Sequence, residues 1–337
     1  MLNTIIASIV IFGLLIFVHE LGHFLAARLV RIRVLEFAIG FGKELLGWEK
    51  KGTRFTLRLF PLGGFCRLLG EDPEDSHKKG SFQEKPLSSR FAVIAAGSVM
   101  NFLLAIVLFS LVYFFFWGVP QDSPQIGEVL PQSRAYDAGL MNQDIILAID
   151  GVEMEKWSNV VSYINANPEN QITLLVEREN SEIIIPVVPV DENGRGLIGI
   201  APVYEKYLFF SSIGLGFTYT WFFVKLIFVS LAQMITGDIP ADVAGPVGIV
   251  AVIGEVTRTG VSNLFSLAAI ISINLGIINL LPIPALDGSR LIFLALEGIR
   301  GKPIDPQKEG FIHFIGFTVL IMLMILIAFQ DITRLFF

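Results

Sequence analysis

Apolar residues occur along this chain in long runs separated by polar stretches. Four runs are long enough to cross a hydrocarbon core of ~30 Å, which takes ~20 helical residues. They cover approximately Leu2 to Ala27, Phe91 to Val119, Leu264 to Leu281 and Phe311 to Phe329. A fifth run, Lys206 to Thr236, is interrupted by glycines, a lysine and hydroxyl side chains. The pattern predicts four transmembrane helices and leaves the fifth run open.

A different period appears in the first polar stretch. Residues 53–60 (TRFTLRLF) alternate polar and apolar side chains, which is typical of a half-buried strand. Gly40 and Gly42 precede this strand in FAIGFG, and the turn that contains Gly63 and Gly64 follows it. Two interpretations stay open: an amphipathic hairpin on the membrane surface, or a sheet edge offered to an extended peptide.

The stretch from Asp122 to Val203 is organised as a separate domain of ~80 residues. Short alternating runs predict strands, and a helix is expected near Trp157 to Asn165. The predicted strands are Gln125–Leu130, Asp144–Ile149, Gln171–Glu177 and Glu182–Val188. The pattern predicts a small soluble α+β domain and does not specify its function.

Composition supports a membrane protein. Of the 337 residues, 53% are hydrophobic and 17% charged, and the mean hydropathy is +0.66. Soluble domains carry about 25% charged residues. The single cysteine, Cys66, excludes a disulfide-stapled domain, and the net charge of −6 argues against nucleic acid as a partner.

Charge also orients the chain. Between Arg28 and Arg90 there are 13 Lys/Arg and 8 Asp/Glu, whereas 118–205 holds 4 Lys/Arg and 14 Asp/Glu. Positively charged loops stay in the cytoplasm. The sequence therefore predicts a cytoplasmic first loop, an extracytoplasmic acidic domain and both termini outside.

Candidate chemistry begins with the HExxH pattern His19-Glu20-Leu21-Gly22-His23 inside the first apolar run. On a helix, residues four apart share a face, so both imidazoles can bind one ion. Glu20, about a third of a turn away, can hold a water molecule. The pattern arises by chance in roughly one chain of this composition in 400. It predicts a zinc site, and the alternative is a polar helix-packing cluster without metal.

Two histidines leave a catalytic zinc short of one protein ligand. The other histidines, His77 in a polar loop and His313 near the last run, are expected to be solvated or packed residues. Asp287 is the better candidate, because it follows Pro282 and Pro284 at the end of the third run. Prolines free backbone groups, which is tolerated at membrane depth only beside protein or a water-filled cavity. Asp287 is either the third ligand or a helix-end cap.

These motifs resemble the site-2 protease family of intramembrane zinc metalloproteases, in particular the bacterial regulator of sigma-E protease type. The resemblance rests on HELGH, PLGGFCRLLGE and NLLPIPALDG, and it covers essentially the whole chain. The segment GEVLPQSRAYDAGLMNQDIILAIDG resembles a PDZ domain. Members of this type often have two PDZ domains, whereas this chain has room for one.

The resemblance implies roles for individual residues. His19, His23 and Asp287 would bind one zinc ion, and Glu20 would be the catalytic base. Asn279 would engage the substrate backbone. The first loop would be the family's membrane-associated β-loop, whose expected substrate-binding residues are Gly40, Gly42, Gly63 and Gly64. In the second run the sequence Ala96-Gly97-Ser98 lacks the family's proline after glycine, but Asn101 is retained.

The implied function is hydrolysis of peptide bonds within or near transmembrane segments, in regulated intramembrane proteolysis of proteins such as anti-sigma factors or signal-peptide remnants. Expected partners are transmembrane substrates, the lipid bilayer and an upstream site-1-type protease, in a bacterial cytoplasmic (inner) membrane. A non-proteolytic zinc-dependent scaffold or transporter is the alternative. A transporter is expected to show internal repeats and several intramembrane charges, which the sequence lacks.

The predicted metal site also constrains the fifth run. If Lys206 to Thr236 crossed the membrane, Asp287 would be delivered to the outer face, ~30 Å from the histidines. We therefore expect this run to be an amphipathic helix at the outer interface. The predicted fold is a polytopic α-helical membrane protein with four transmembrane helices, a β-loop and an inserted α+β PDZ domain. Its parts are 1–120 with the HExxH motif and β-loop, 121–203 as the PDZ domain, and 204–337 with the interface helix and the LDG motif.

Overall fold

The computed structural model describes residues 2–71, 73–75, 77–240 and 245–336. The chain divides into two compact units, one formed by Met1–Val112 with Phe210–Phe337 and the other by Tyr113–Phe209. The first is mostly helical with one β-sheet, and the second is an α+β unit. The predicted class, an α-helical membrane protein with an inserted α+β domain, is confirmed.

The helices are α1 (Leu2–Leu29), α2 (Leu87–Phe115), α3 (Arg134–Asp137), α4 (Trp157–Asn165), α5 (Phe209–Thr236), α6 (Pro246–Val256), α7 (Val261–Leu280), α8 (Asp287–Arg300) and α9 (Pro306–Phe336). A 3-10 turn covers Pro73–Asp75. The strands are β1 (Val34–Lys50), β2 (Thr53–Leu68), β3 (Gly118–Pro120), β4 (Ile126–Val129), β5 (Ile145–Ile149), β6 (Val152–Glu153), β7 (Ile172–Arg178), β8 (Ser181–Val187), β9 (Val190–Glu192), β10 (Arg195–Leu197), β11 (Ile200–Pro202) and β12 (Tyr204–Lys206).

Within the described residues, five helices are long and apolar enough to cross a membrane. They are α1, α2, α5, α7 and the Gln307–Arg334 part of α9. The fifth apolar run is thus a continuous helix that meets the length and composition of a span, although the sequence places it at the interface. The second span ends at Phe115 rather than Val119, because Gly118 and Pro120 disfavour helix and begin a strand instead.

Small residues bring α1, α2 and α7 together. Gly22 packs directly against the carbonyl oxygen of Ala96, and a Cβ atom on Gly276 would lie 3.1 Å from the Phe102 ring. The Ser272 hydroxyl donates to the Asn101 carbonyl at 2.8 Å. Small side chains let membrane helices approach closely, since lipid provides no hydrophobic drive between them. These contacts lie beside the HExxH motif.

The sheet of the first unit is a hairpin folded upon itself. The first half of β1 pairs on one side with residues 54–57 and on the other with residues 64–68. The backbone bends at Gly40, Gly42 and Gly63, which all have positive φ. The result is a sheet whose edges are the second half of β1 and the segment 64–68.

The second unit contains a four-stranded antiparallel sheet in the order β6-β5-β7-β8, and α4 is the helix predicted at Trp157–Asn165. Strands β5, β7 and β8 match the predicted ones within one residue or two, because one face is buried and the other exposed, whereas β6 was not predicted. The core includes Ile126, Ile146, Trp157 and Leu174.

Candidate metal centre

Three predicted ligands meet at one point. His19 and His23 lie one turn apart on α1, and Asp287 is the first residue of α8. Asp287 Oδ2 is 3.2 Å from His19 Nε2 and 3.3 Å from His23 Nε2, and the two Nε2 atoms are 3.2 Å apart. Both histidines are buried. Among the described residues, these three side chains form the group whose possible ligand atoms all lie within 4.8 Å of one another, close enough to hold a metal ion.

Hydrogen bonds orient both imidazoles. His23 Nδ1 donates to the Val93 carbonyl at 2.8 Å, which leaves a lone pair on its Nε2. His19 Nδ1 lies 3.1 Å from the amide of the fully buried Asn101. When the Asn101 side-chain amide is oriented with its oxygen toward the ring, His19 Nδ1–H donates to Asn101 Oδ1, an atom that otherwise has no partner among the described residues. A metal-binding histidine normally makes such a hydrogen bond with its other nitrogen.

The three atoms fit a zinc ion. Two imidazole lone pairs and a carboxylate oxygen, all acceptors, face one another, and Asp287 Oδ2 is buried with no hydrogen-bond partner among the described residues. Such an arrangement is repulsive unless a cation lies between the atoms. Zinc–ligand bonds of ~2.0–2.1 Å in a tetrahedron put ligand atoms ~3.3 Å apart, as observed.

Gly97 of α2 leaves room for this centre. A Cβ atom at Gly97 would lie 2.5 Å from His23 Nε2 and 2.7 Å from His19 Nε2. A methyl group there would fill the space into which the ligands converge. Glycine at this position therefore keeps open the space between the three side chains.

Glu20 lines a cavity of about 280 Å³ together with the three candidate ligands. The opposite wall is the sheet edge, residues 64–68, so this edge strand faces the candidate centre. The approach is close, because a Cβ atom on Gly64 would lie 3.1 Å from Glu20 Cγ. The sequence predicted both a carboxylate beside the ligands and a sheet edge, and the structure brings them together.

The other expected substrate-binding residues lie elsewhere. Gly40, Gly42 and Gly63 are at the bends of the hairpin and do not line this cavity. Their backbone conformation shapes the sheet that presents Gly64. Asn279 lies near the end of α7, three residues beyond Gly276 and so close to the helix face that packs on α2.

The hairpin presents apolar side chains to its surroundings. Phe41, Leu46, Trp48 and Phe60 are all exposed, as expected for a sheet that enters lipid. Inside the hairpin, burial alone would raise the pKa of Glu36, but hydrogen bonds from Arg58 and Thr56 lower it overall. Glu36 is therefore an ionised structural residue.

A larger cavity, of about 1000 Å³, adjoins the first. Glu71, Ile94, Asp287 and Arg290 line both cavities. His77 is exposed at its wall, as expected for a solvated residue. The larger cavity therefore borders Asp287, one of the three candidate ligands.

Sequence reasoning missed three contributors: Gly97, the orienting role of Asn101, and His313. The first two had a signal in the run Ala96-Gly97-Ser98 followed by Asn101, since small and amide residues in a membrane helix mark close contacts. His313 is half-buried, and its Nδ1 accepts from the Ala285 N–H at 3.0 Å. No local pattern indicated that contact.

The family model and the full-length relatives agree on one family. The model of Peptidase family M50 matches residues 7–323. Regulator of sigma-W protease RasP of Bacillus subtilis (strain 168) and zinc metalloprotease RasP of Geobacillus kaustophilus are each 36% identical, with 99% of this chain and 99% of the relative covered. Among solved structures, the PDZ domain of an SdrC-like protein from Listeria monocytogenes is 22% identical, covering 25% of this chain and 92% of that domain, with a TM-score of 0.23.

Proposed function

The chain belongs to peptidase family M50, the site-2 protease family, and is a zinc-dependent intramembrane metalloprotease; we propose that His19, His23 and Asp287 hold its single zinc ion and that Glu20 is the catalytic base. The observation that carries this assignment is the triangle of acceptor atoms with sides of 3.2, 3.2 and 3.3 Å. The alternative of a non-proteolytic scaffold does not explain the cavity and carboxylate beside it.

Zinc, when bound, supplies Lewis-acid polarisation of the scissile carbonyl and makes a water molecule acidic near neutral pH. Glu20 accepts the proton of that water on its carboxylate and later delivers it to the leaving amine. His23 and His19 are oriented through their hydrogen bonds with Val93 and Asn101.

A helical substrate must unwind before hydrolysis, because its peptide bonds are shielded within i→i−4 hydrogen bonds. We propose that the edge strand 64–68 holds the unwound segment by backbone pairing, with Gly64 allowing it to approach Glu20. Edge pairing reads side chains weakly. Substrate choice then depends on how easily a transmembrane segment unwinds and on prior trimming by a site-1-type protease.

The protein is a multi-pass membrane protein that acts on membrane substrates. We propose that its α+β unit is an extracytoplasmic PDZ domain, that both termini are outside, and that anti-sigma factors or signal-peptide remnants are substrates. The regulator name of the Bacillus subtilis relative and the acidic charge of 118–205 support this.

We further propose that α5 lies at the outer interface rather than spanning. Phe209 at the start of α5 meets Phe114 near the end of α2, but Gly216 already reaches Ile106 and Ser110, and Tyr219 and Phe223 both meet Phe109. From Gly216 onward the contact thus stays on the same two turns of α2, which supports an oblique crossing. A helix descending beside α2 would contact successively deeper turns. Such a path leaves α7 to run from outside to inside and deliver Asp287 to the histidines.

Topology can be tested with single cysteines in a Cys66→Ser background. We expect Ser262→Cys to react with an impermeant thiol reagent added outside, and Lys302→Cys to be protected. The reverse labelling would overturn the proposed path of α5 and the outside position of the C-terminus.

The catalytic assignment is tested by two variants. Glu20→Gln should keep zinc and lose at least ~10²-fold in cleavage of a single-span substrate, since an amide cannot accept the proton. Asp287→Asn should lower zinc content, whereas the exposed Glu255→Gln should not. Activity of Glu20→Gln within tenfold of the wild type would reject Glu20 as the base. Unchanged zinc in Asp287→Asn would make Asp287 a helix cap.

The only cysteine lies on the edge strand and lines the catalytic cavity, which makes strand pairing directly testable. Burial, and to a smaller extent the nearby Glu20, raise the pKa of the Cys66 thiol, so it should alkylate slowly near neutral pH. Under mild oxidation of the Glu20→Gln variant with cysteine-scanned substrates, we expect disulfides to Cys66 at alternate substrate positions. A Cys66→Ser control should give none, and crosslinks with helical spacing would contradict strand pairing.

A further inference from the structure

The segment before Asp287 is a strained turn. Leu286 N–H donates to the Ile283 carbonyl at 3.1 Å, with Pro284 and Ala285 between them. Ala285 has a φ of +76°. Proline second and positive φ third are features of a type II turn, in which the third position normally holds glycine. An alanine in this conformation persists only where its surroundings hold it.

His313 provides that support from α9. In a type II turn the N–H of the third residue has no partner within the turn, and a buried N–H without a partner is costly. Here the Ala285 N–H donates to His313 Nδ1 at 3.0 Å. Because Nδ1 accepts, the ring proton is on Nε2, and the Glu309 carboxylate 3.8 Å away favours it there.

The rest of α9 reinforces this contact. Gly316 lies nearly one turn after His313, and a Cβ atom there would be 2.7 Å from the carbonyl carbon and oxygen of Pro284. The helix backbone therefore rests directly on the turn. Phe293 of α8 meets the His313 ring edge-on, with centroids 5.7 Å apart, and so limits its rotation.

We propose that His313 is a positioning residue for the metal centre: with Gly316, it holds the Ile283–Leu286 turn in the conformation that delivers Asp287 Oδ2 to the two histidines. The inference rests on the proposed role of Asp287 as a ligand. His313 is not itself a ligand, because its Nδ1 accepts from the turn and its Nε2 therefore carries the ring proton, which leaves no lone pair for a metal.

The test measures zinc affinity of purified full-length protein by competition with a chelator. His313→Leu should weaken zinc binding ~10- to 100-fold, the usual range for loss of a residue that supports a ligand. His313→Asn should stay within about threefold of wild type, because the asparagine Oδ1 stands where Nδ1 was and can accept the same N–H. Thr318→Val, exposed on the same helix, should have no effect.

A second-site variant separates positioning from general packing. Ala285→Gly removes the backbone strain, so in the His313→Leu background it should recover zinc affinity at least threefold. With cobalt in place of zinc, His313→Leu should also change the visible spectrum of the metal, and His313→Asn should not.

Each outcome is decisive. Affinity of His313→Leu within threefold of wild type, or no recovery by Ala285→Gly, overturns the proposal. If His313→Leu does not accumulate, His313→Asn decides alone, and a loss of more than tenfold overturns the proposal. Asp287→Asn, measured in parallel, distinguishes a failure of the ligand assignment from a failure of the positioning role. If it leaves affinity unchanged, the ligand assignment has failed, whereas a loss there with none in His313→Leu refutes the positioning role alone.

Discussion

Gly97→Ala tests the geometry of the metal centre with one methyl group. The added Cβ would lie 2.5 Å from His23 Nε2 and 2.7 Å from His19 Nε2, whereas ordinary contacts begin at 3.4 Å. Each nitrogen would have to retreat by about 0.7 to 0.9 Å. Metal sites tolerate deviations of ~0.2 Å. Helix α2 cannot yield instead, because Gly22 already packs against the Ala96 carbonyl.

The expected magnitude follows from the value of one ligand. Zinc sites with four ligands bind with ~10–16 kcal/mol, so the loss of one ligand costs ~3 kcal/mol, or ~10²-fold in affinity. We expect Gly97→Ala to lose zinc by at least that factor and to lose proteolysis with it, while thermal unfolding of the metal-free protein changes little.

The assay is zinc content of the purified protein, followed by chelator competition. Gly13→Ala is the matched control, because Gly13 also lies within a membrane-spanning helix but has nothing within 4 Å of its Cβ position. It should keep zinc and activity. If Gly97→Ala binds one zinc with affinity within threefold of wild type, the ligands do not converge where the structure has them.

Three further predictions concern hydrogen-bonded side-chain pairs, two in the first unit and one in the second. Asn101→Ala removes the partner of His19 and should weaken zinc binding ~10- to 100-fold in equilibrium dialysis; an unchanged constant would dismiss the orienting role. Arg90→Met leaves the Glu297 carboxylate unpaired, and should lower the free energy of unfolding by ~2–3 kcal/mol in detergent while zinc per folded chain stays constant. Arg178→Met leaves Asp144, whose side chain is 1% exposed, without its bidentate partner; we expect faster hydrogen exchange in β7, and protection equal to wild type would contradict this.

The features that the sequence predicts well are local ones. The spacing of His19 and His23 places them on one helix face whatever surrounds them. Alternation in residues 171–188 predicts β7 and β8 nearly to the residue, because a half-buried strand repeats every second position. Long apolar runs likewise predict the spanning helices, since a bilayer tolerates little else.

The motif resemblance also predicted Asp287 as a ligand, but it did not predict the residues that orient the three side chains and leave space between them. Gly97 and Asn101 act through contacts with α1, and His313 through a turn separated from it by 28 positions. Such contacts leave no periodic trace in a single sequence. The positive φ of Ala285 is also invisible there, because nothing marks alanine for that conformation.

The path of α5 shows the same difference between local and tertiary information. Its hydropathy alone qualifies it as a span, and the oblique path that we propose for it rests on its contacts with α2. Local sequence thus determined which segments are helices and strands and which side chains can bind metal. Tertiary structure decided whether those side chains meet, because a zinc site needs ligand atoms placed within ~0.2 Å, and that precision comes from packing between segments far apart in the chain.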